Sequence, residues 1–345
     1  MGWRQSHPAR TGTGTACSSR LRGMGIRIGL IGCGEHSEIG HAVPLAHYAS
    51  ANPGVISLAA ACDLRPARAE LFRQKYGFSR AYARIREMLE KESLDVCIAV
   101  TPVEKNAEVG VMLLKSSVPC VVEKPLGANF DQAQQLLRAA ETTGTANMVS
   151  VNRRFMPLLR RGLEWARNAG QTVYVRASML RHARTEAEFL RQTAIHSFDT
   201  LRFIAGDVDG FEVRKLKPAA SPWYSVDLKF ANGISGRLDI FPTTGALEET
   251  YELFGNGFRV MIASPFGPQR FLRCFENNKL ALEEIVPQGA REDLVNGFYG
   301  EVAELVDSFR QSRCPNPSIA DVFPSVKLCF EVADRSEADS ASASS

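Results

Sequence analysis

Ile26-Arg27-Ile28-Gly29-Leu30-Ile31-Gly32-Cys33-Gly34 carries an apolar strand straight into two glycines one residue apart. Glycines so placed permit a tight turn and a close backbone approach to a pyrophosphate, whose charge then sits at the N-terminus of the next helix. The third position of the usual G-x-G-x-x-G spacing is Ser37, with His36 before it and Gly40 further on. Glycine-rich turns after strands are common, so this turn alone is a weak signal. The next apolar run, Ile56-Ser57-Leu58-Ala59-Ala60-Ala61-Cys62, ends on Asp63. An acid there can take both ribose hydroxyls of an adenosine and would repel a 2′-phosphate, which favours NAD over NADP. Arg65 leaves NADP open, because a nearby guanidinium can accept that phosphate. Asp63 would equally cap a helix starting near Pro66.

From there strand and helix alternate, with helices over residues 66–76, 85–92, 103–116 and 131–143 and strands over 94–100, 118–122 and 147–151. This is how a doubly wound α/β Rossmann sheet of six parallel strands reads, and it makes a full dinucleotide-binding domain. In such a sheet the carboxyl ends of the strands form the ligand crevice. Two further loops reach that edge: Thr101-Pro102, and Glu123-Lys124-Pro125 after Val121-Val122. A lysine there stands where cofactor and substrate could both meet it, and a cis Lys124-Pro125 bond would aim it into the crevice. In isolation Glu-Lys-Pro is also what a surface ion pair before a turn looks like.

The chain of 345 residues is long enough for two domains of ordinary size. Basic and acidic residues, 41 against 38, leave a net charge of +3, too balanced to argue for nucleic acid or a membrane surface. The eight cysteines show no C-x-x-C pair and no metal-ligand spacing. Cys33, Cys62, Cys97 and Cys120 lie in or beside apolar runs and read as buried thiols of a reducing compartment. Residues 1–24 are rich in Arg, Ser, Thr and Gly and read as a disordered extension, with Met24 an alternative start. Residues 336–345 read as a disordered tail. No run of about 18 apolar residues marks a transmembrane helix, and a cytoplasmic protein is expected.

The nucleotide domain is expected over residues 25–151, and a substrate and oligomerisation domain over 152–335. After Phe155 one helix, over 158–168, gives way to strand-like runs over 172–179, 223–230, 234–240, 249–254 and 258–262, with Asn232-Gly233 a hairpin turn. A large, mainly antiparallel α+β sheet with helices on one face follows, closed by helices over 291–311 and 319–335. Within 193–207 the apolar residues Phe198, Leu201, Ile204 and Ala205 have helical spacing, which puts His196 and Asp199 on one face. A bare His-x-x-Asp on a helix is often only a hydrogen-bonded surface pair.

The set Gly29-Leu30-Ile31-Gly32-Cys33-Gly34, Ala61-Cys62-Asp63, Thr101-Pro102, Glu123-Lys124-Pro125 and Asn152-Arg153-Arg154-Phe155, in this order, resembles the Gfo/Idh/MocA oxidoreductases, the family of glucose-fructose oxidoreductase and inositol dehydrogenase. The resemblance runs from residue 25 to about 335. It implies NAD(P) as cofactor, a sugar, cyclitol or related polyol as substrate, and a homodimer or homotetramer built through the open sheet. It places Gly32, Gly34, His36, Ser37, Asp63, Arg65, Thr101, Pro102, Asn106, Glu123 and Lys124 at the cofactor, Lys124 and His196 at the chemistry, and Arg154, Asp199 and Gln192 at the substrate. Three departures stand out: Gln192 where many relatives have Asp, Glu188-Phe189-Leu190-Arg191 in place of a glycine run, and Asn106 where many have His. Glutamine hydrogen-bonds but cannot ionise.

The reading is an enzyme oxidising or reducing a secondary alcohol or ketone by hydride transfer, with Lys124 stabilising the alkoxide and His196 taking the proton. The rivals are a cofactor-bound sensor without turnover, and an enzyme using transient oxidation for elimination or epimerisation. Arg153, Arg154, Arg181, His182 and Arg184 fit an acidic or phosphorylated substrate, but a solvated face explains them slightly better.

Overall fold

The computed structural model describes residues 25–216, 218 and 221–342. The expected extension over 1–24 and the last three residues of the tail lie outside the described residues.

The first sheet contains β1 (Ile26–Ile31), β2 (Ile56–Cys62), β3 (Arg80–Tyr82), β4 (Val96–Ala99), β5 (Cys120–Glu123) and β6 (Asn147–Ser150), all paired in parallel in the order β3-β2-β1-β4-β5-β6. Helices cover both faces, so β4 and β5 are buried at every position, which is why they read as unbroken apolar runs. Strand order reverses between β1 and β4, and the crevice of such a sheet opens at that switch point. Gly32 makes the turn at its rim: φ is +88°, and a Cβ would lie 1.9 Å from the Val100 carbonyl oxygen. No other residue fits there.

The second sheet contains β7 (Thr172–Leu180), β8 (Val208–Leu216), β9 (Trp223–Phe230), β10 (Ser235–Phe241), β11 (Glu248–Gly255), β12 (Phe258–Ala263), β13 (Phe271–Glu276) and β14 (Lys279–Ile285), in the order β14-β13-β12-β11-β7-β10-β9-β8. Every pair is antiparallel except β7 with β10. Val175, Ala177, Met179, Leu238, Tyr251 and Ile262 point to one face and pack beneath the helices Pro157–Ala169 and Ile195–Ala205. The strands β3, β8, β13 and β14 are additions to the runs visible in sequence. β8 and β14 are edge strands whose inward positions are only half-buried, so the alternation that burial writes into them is shallow. β3 is only three residues long.

The helix expected over 291–311 is broken. Glu292–Val295 and Phe298–Arg310 are separated at Gly297, whose φ is +88° and where a Cβ would lie 2.2 Å from the Asn152 carbonyl oxygen. Val302, Leu305, Val306 and Phe309 of the second piece pack into the core of the first sheet. The chain therefore returns to the first sheet and brings Glu301 with it. The last helix, Ile319–Ser342, runs beyond the expected tail boundary, and Ser336 on it is buried, so residues 336–342 are helix rather than disordered tail. Among the described residues no helix is long and apolar enough to cross a membrane.

Candidate active site

The glycine turn and Asp63 meet at the end of β2. Asp63 accepts the backbone N–H of Cys33 at 2.9 Å on Oδ2 and that of Arg65 at 2.8 Å on Oδ1, so the carboxylate fixes the turn while keeping lone pairs at its edge. Arg65 is exposed, with Nε 3.9 Å from the same carboxylate. A Cβ on Gly34 would meet nothing within 4 Å. Ser37 Oγ and Thr101 Oγ1 are buried without hydrogen-bond partners on the glycine-turn helix and the loop after β4. Open space over Gly34, two orphaned hydroxyls and an acid at the ribose position fit a dinucleotide. The neighbouring thiols do not compete for chemistry: burial pushes Cys33, Cys62 and Cys120 each up to about 12.

The glycine-turn helix contains a π stretch, Glu38–Ala42, a widened turn of the kind found at functional sites. It aims His41 at the sheet edge. Glu123, the last residue of β5, lies 2.6 Å from His41 Nε2 and 3.2 Å from His36 Nε2 through the same Oε1. Burial pushes this carboxyl up, but the hydrogen bonds and charge of the two histidines outweigh it and hold it below the usual range. Glu123 is thus a buried anion clasped by the glycine-turn helix. His41 carries no motif spacing, and only the π turn brings it here.

Asn106, expected at the cofactor, is buried and braces the turn through its Nδ2, while its Oδ1 has no hydrogen-bond partner. Its Nδ2 donates to the carbonyls of Glu123 and Pro125, the latter at 2.8 Å, across the cis Lys124-Pro125 bond. An amide can donate twice to two carbonyls, which suits this brace. Lys124 itself is half-buried and makes no ion pair within 4 Å among the described residues. Burial pulls its pKa down, Arg153 and Arg184 pull it further, and Glu123 and Glu249 resist.

His196 lies on the helix Ile195–Ala205, buried, with Nδ1 lacking a hydrogen-bond partner. Burial, then the charges of Arg153, Lys124, Arg181 and His36, hold its pKa well below the ordinary value, so the imidazole is neutral. Gln192 is half-buried at the end of the short helix Phe189–Gln192.

Arg154 and Asp199, expected to hold substrate, hold each other. Arg154 Nε and Nη2 donate to Asp199 Oδ2 and Oδ1, both at 2.7 Å, and Ser325 Oγ adds 2.7 Å to Oδ1. Asp199 is 1% exposed, so this ion pair ties the Asn152–Phe155 turn to the His196 helix and the last helix. It is structural.

Arg153 and Arg181 are buried too, against the expectation of a solvated basic face; only His182 and Arg184 are exposed. Both guanidiniums bind Glu249 on β11, Arg153 through Nε at 3.1 Å and Nη2 at 2.9 Å, Arg181 through Nη2. Tyr251 OH adds a bond of 3.1 Å. Burial pushes the Glu249 carboxyl up, but the two arginines bring it down to about 2. Glu301, brought back by its helix, accepts from Ser150 Oγ at 3.0 Å. Burial and the Glu123 charge raise its pKa well above the ordinary value. Glu249 and Glu301 carry no motif, and no local pattern announces them.

Residues 26–152 match the family described as "Oxidoreductase family, NAD-binding Rossmann fold", Gfo/Idh/MocA. Among curated proteins the chain is 25% identical over 191 residues to the myo-inositol 2-dehydrogenase of Thermotoga maritima, covering 53% of this chain and 55% of that protein. For the relatives matched first, the chain spans only 27%, 27% and 44% of their own length. Among solved structures, a dehydrogenase from Chromobacterium violaceum superposes with a TM-score of 0.80 at 18% identity, covering 92% of this chain and 97% of that one. An oxidoreductase from Agrobacterium radiobacter in complex with NAD+, L-tartaric acid and magnesium gives a TM-score of 0.74 at 20% identity, covering 90% and 96%. These likenesses extend the shared fold across both sheets.

Proposed function

We propose, from the match of residues 26–152 to the Gfo/Idh/MocA oxidoreductase family with its NAD-binding Rossmann fold, an NAD-dependent enzyme that oxidises a secondary alcohol of a sugar, cyclitol or related polyol, or reduces the matching ketone. Lys124 carries this reading: an ammonium at the carboxyl edge of β5, half-buried, its pKa lowered by burial, with no ion pair among the described residues, in a site shared with a neutral imidazole. The resemblance to an inositol dehydrogenase supports the substrate class.

When bound, NAD accepts hydride at nicotinamide C4. Lys124 donates a hydrogen bond to the reacting oxygen and stabilises alkoxide where water is largely excluded. Its lowered pKa brings it nearer working pH, where proton transfer is more efficient. His196, kept neutral by burial, is free to take the hydroxyl proton. Asn106 and the Glu123–His41 bond hold the turn from which Lys124 projects. Asp63 supports NAD over NADP through the ribose hydroxyls. All helices that cover the second sheet pack on one face, and a second copy of the chain is the partner we propose for the other; light scattering of the purified protein tests it.

Lys124→Met tests the centre. Turnover should fall by about 10²–10³-fold or more, with NADH affinity, measured by fluorescence, within a few-fold. Retained turnover refutes the assignment, and product without net NADH would redirect it to transient oxidation.

A further inference from the structure

We propose that the substrate alcohol carries a carboxylate, held by Arg153 and Arg181, two buried guanidiniums that share one buried carboxylate in the neighbourhood of Lys124 and His196. This rests on the oxidoreductase reading above and narrows its substrate from polyols in general to sugar acids and related hydroxy acids.

The case is one of unanswered charge. Glu249 receives both arginines and the Tyr251 hydroxyl, so its two oxygens are fully engaged. Arg153 Nη1 donates to Asn152 Oδ1 at 2.9 Å and Arg181 Nη1 to the Leu180 carbonyl at 2.8 Å. Both guanidiniums also stack on the one Phe266 ring, at 5.4 and 5.2 Å from its centroid. A guanidinium has five N–H donors, and Nε of Arg181 finds no acceptor among the described residues.

Among the other buried acids, Glu301 has one oxygen without a partner, but burial and the Glu123 charge raise its pKa well above the ordinary value, so it brings a proton rather than a charge. Glu123 is clasped by His36 and His41, and Asp199 by Arg154 and Ser325. Gln192, which could have supplied a negative charge one short helix before His196, is neutral. Arg184 is answered by Glu186. What remains uncompensated is one guanidinium and the Lys124 ammonium.

A surplus of buried positive charge, two guanidiniums on one carboxylate, is costly. The developing alkoxide answers Lys124, but nothing in a neutral polyol answers the second guanidinium. A carboxylate does, with the planar geometry an arginine fork pairs with. The surplus of a single guanidinium charge matches a monoanion better than a phosphate ester of charge about −1.5 to −2.

The test uses the full chain with NAD and matched pairs of one carbon skeleton: D-gluconate against D-glucitol, D-galactonate against galactitol, and glucitol 6-phosphate as the phosphate arm. The acids should show kcat/KM at least about tenfold above their neutral partners, chiefly through KM. Faster turnover of the neutral or phosphorylated compounds overturns this inference and leaves the oxidoreductase reading standing. If none is oxidised, the redox reading fails for these substrates, and calorimetry on the NADH-loaded protein decides the inference. D-gluconate binding at least tenfold tighter than D-glucitol sustains it; equal or absent binding overturns it. Arg181→Lys keeps the charge and loses the fork, and Arg181→Gln loses both. KM for the acid should rise in that order, the Lys variant serving alone if the Gln variant does not fold. An unchanged KM in a folded variant overturns the assignment.

Discussion

Asp199 offers the sharpest separation between a structural and a substrate-binding residue. In Asp199→Asn the side-chain shape survives, but the charge that balances Arg154 does not. The two arginine bonds and the Ser325 hydroxyl bond, each 2.7 Å, converge on a group 1% exposed, and the Arg154 side chain is 10% exposed. Solvent screening therefore offers little relief, and removing one partner of such a pair costs about 3–5 kcal/mol. Asparagine also presents an amide NH₂ to groups that are themselves donors, because Ser325 Oγ already accepts from Arg202 Nη1 at 2.7 Å.

With a urea m-value of about 2–3 kcal/mol per molar, the unfolding midpoint should drop by about 1–2.5 M. The assay is urea denaturation followed by both circular dichroism and tryptophan fluorescence, since a chain built on two separate sheets needs coincident probes before a single midpoint has meaning. Replacing both partners together, Arg154→Met with Asp199→Leu, should recover most of the loss, because an apolar pair leaves no buried charge. Steady-state KM of folded Asp199→Asn should stay within about threefold of the parent, less than 1 kcal/mol. A midpoint shift under about 0.3 M together with a tenfold rise in KM would refute the structural assignment.

Glu301→Gln should make stability less dependent on pH. The buried acid holds its proton in the folded state at pH values where the unfolded chain has released it, so parental stability falls as pH rises above 4.5 toward the raised folded value. The advantage of the Gln variant should widen over that window by up to about 1.4 kcal/mol per pH unit; urea midpoints that differ equally at every pH would contradict it. Gly34→Val has room for its side chain and should fold, yet bind NADH at least about tenfold more weakly by fluorescence titration, its Cβ filling the space over the turn. Gly32→Ala strikes the Val100 carbonyl and should give no soluble protein. Asp63→Ala should weaken NADH more than NADPH in the same titration, and equal losses would remove Asp63 from the ribose.

Much of the first domain was legible because a parallel sheet buried on both faces writes each strand as a continuous apolar run and each helix as a periodic one. β3 escaped because three residues with an exposed Arg80 carry no pattern. At the second sheet, β7 and β9 to β12 showed themselves by alternation, whereas the edge strands β8 and β14 have no well-buried face to impose it. The chemical groups divide in the same way. Gly32, Asp63 and Lys124 follow strand ends, and the spacing of His196 and Asp199 is local to one helix. Glu249 and Glu301 reach their partners across a span of the chain, Arg153 to Glu249 and Ser150 to Glu301, that no spacing rule covers.

Spacing located the ionisable groups but did not assign their work, because work depends on whether a charge is already answered. Asp199 and Arg154 sit at positions where the family resemblance places substrate contacts, yet each spends most of its charge on the other. Asn106 replaces a family histidine and spends its donors on the Glu123 and Pro125 carbonyls. Glu123 is held by histidines from the glycine-turn helix, and Lys124, its neighbour in sequence, does not make the ion pair that the Glu-Lys dipeptide suggests. That release suits the catalytic role proposed for Lys124: paired to Glu123 its ammonium would be held at high pKa and turned away from substrate. The histidine clasp on Glu123 and the burial of Lys124 are therefore two halves of one arrangement, and His41, which no motif marked, is the residue that joins them.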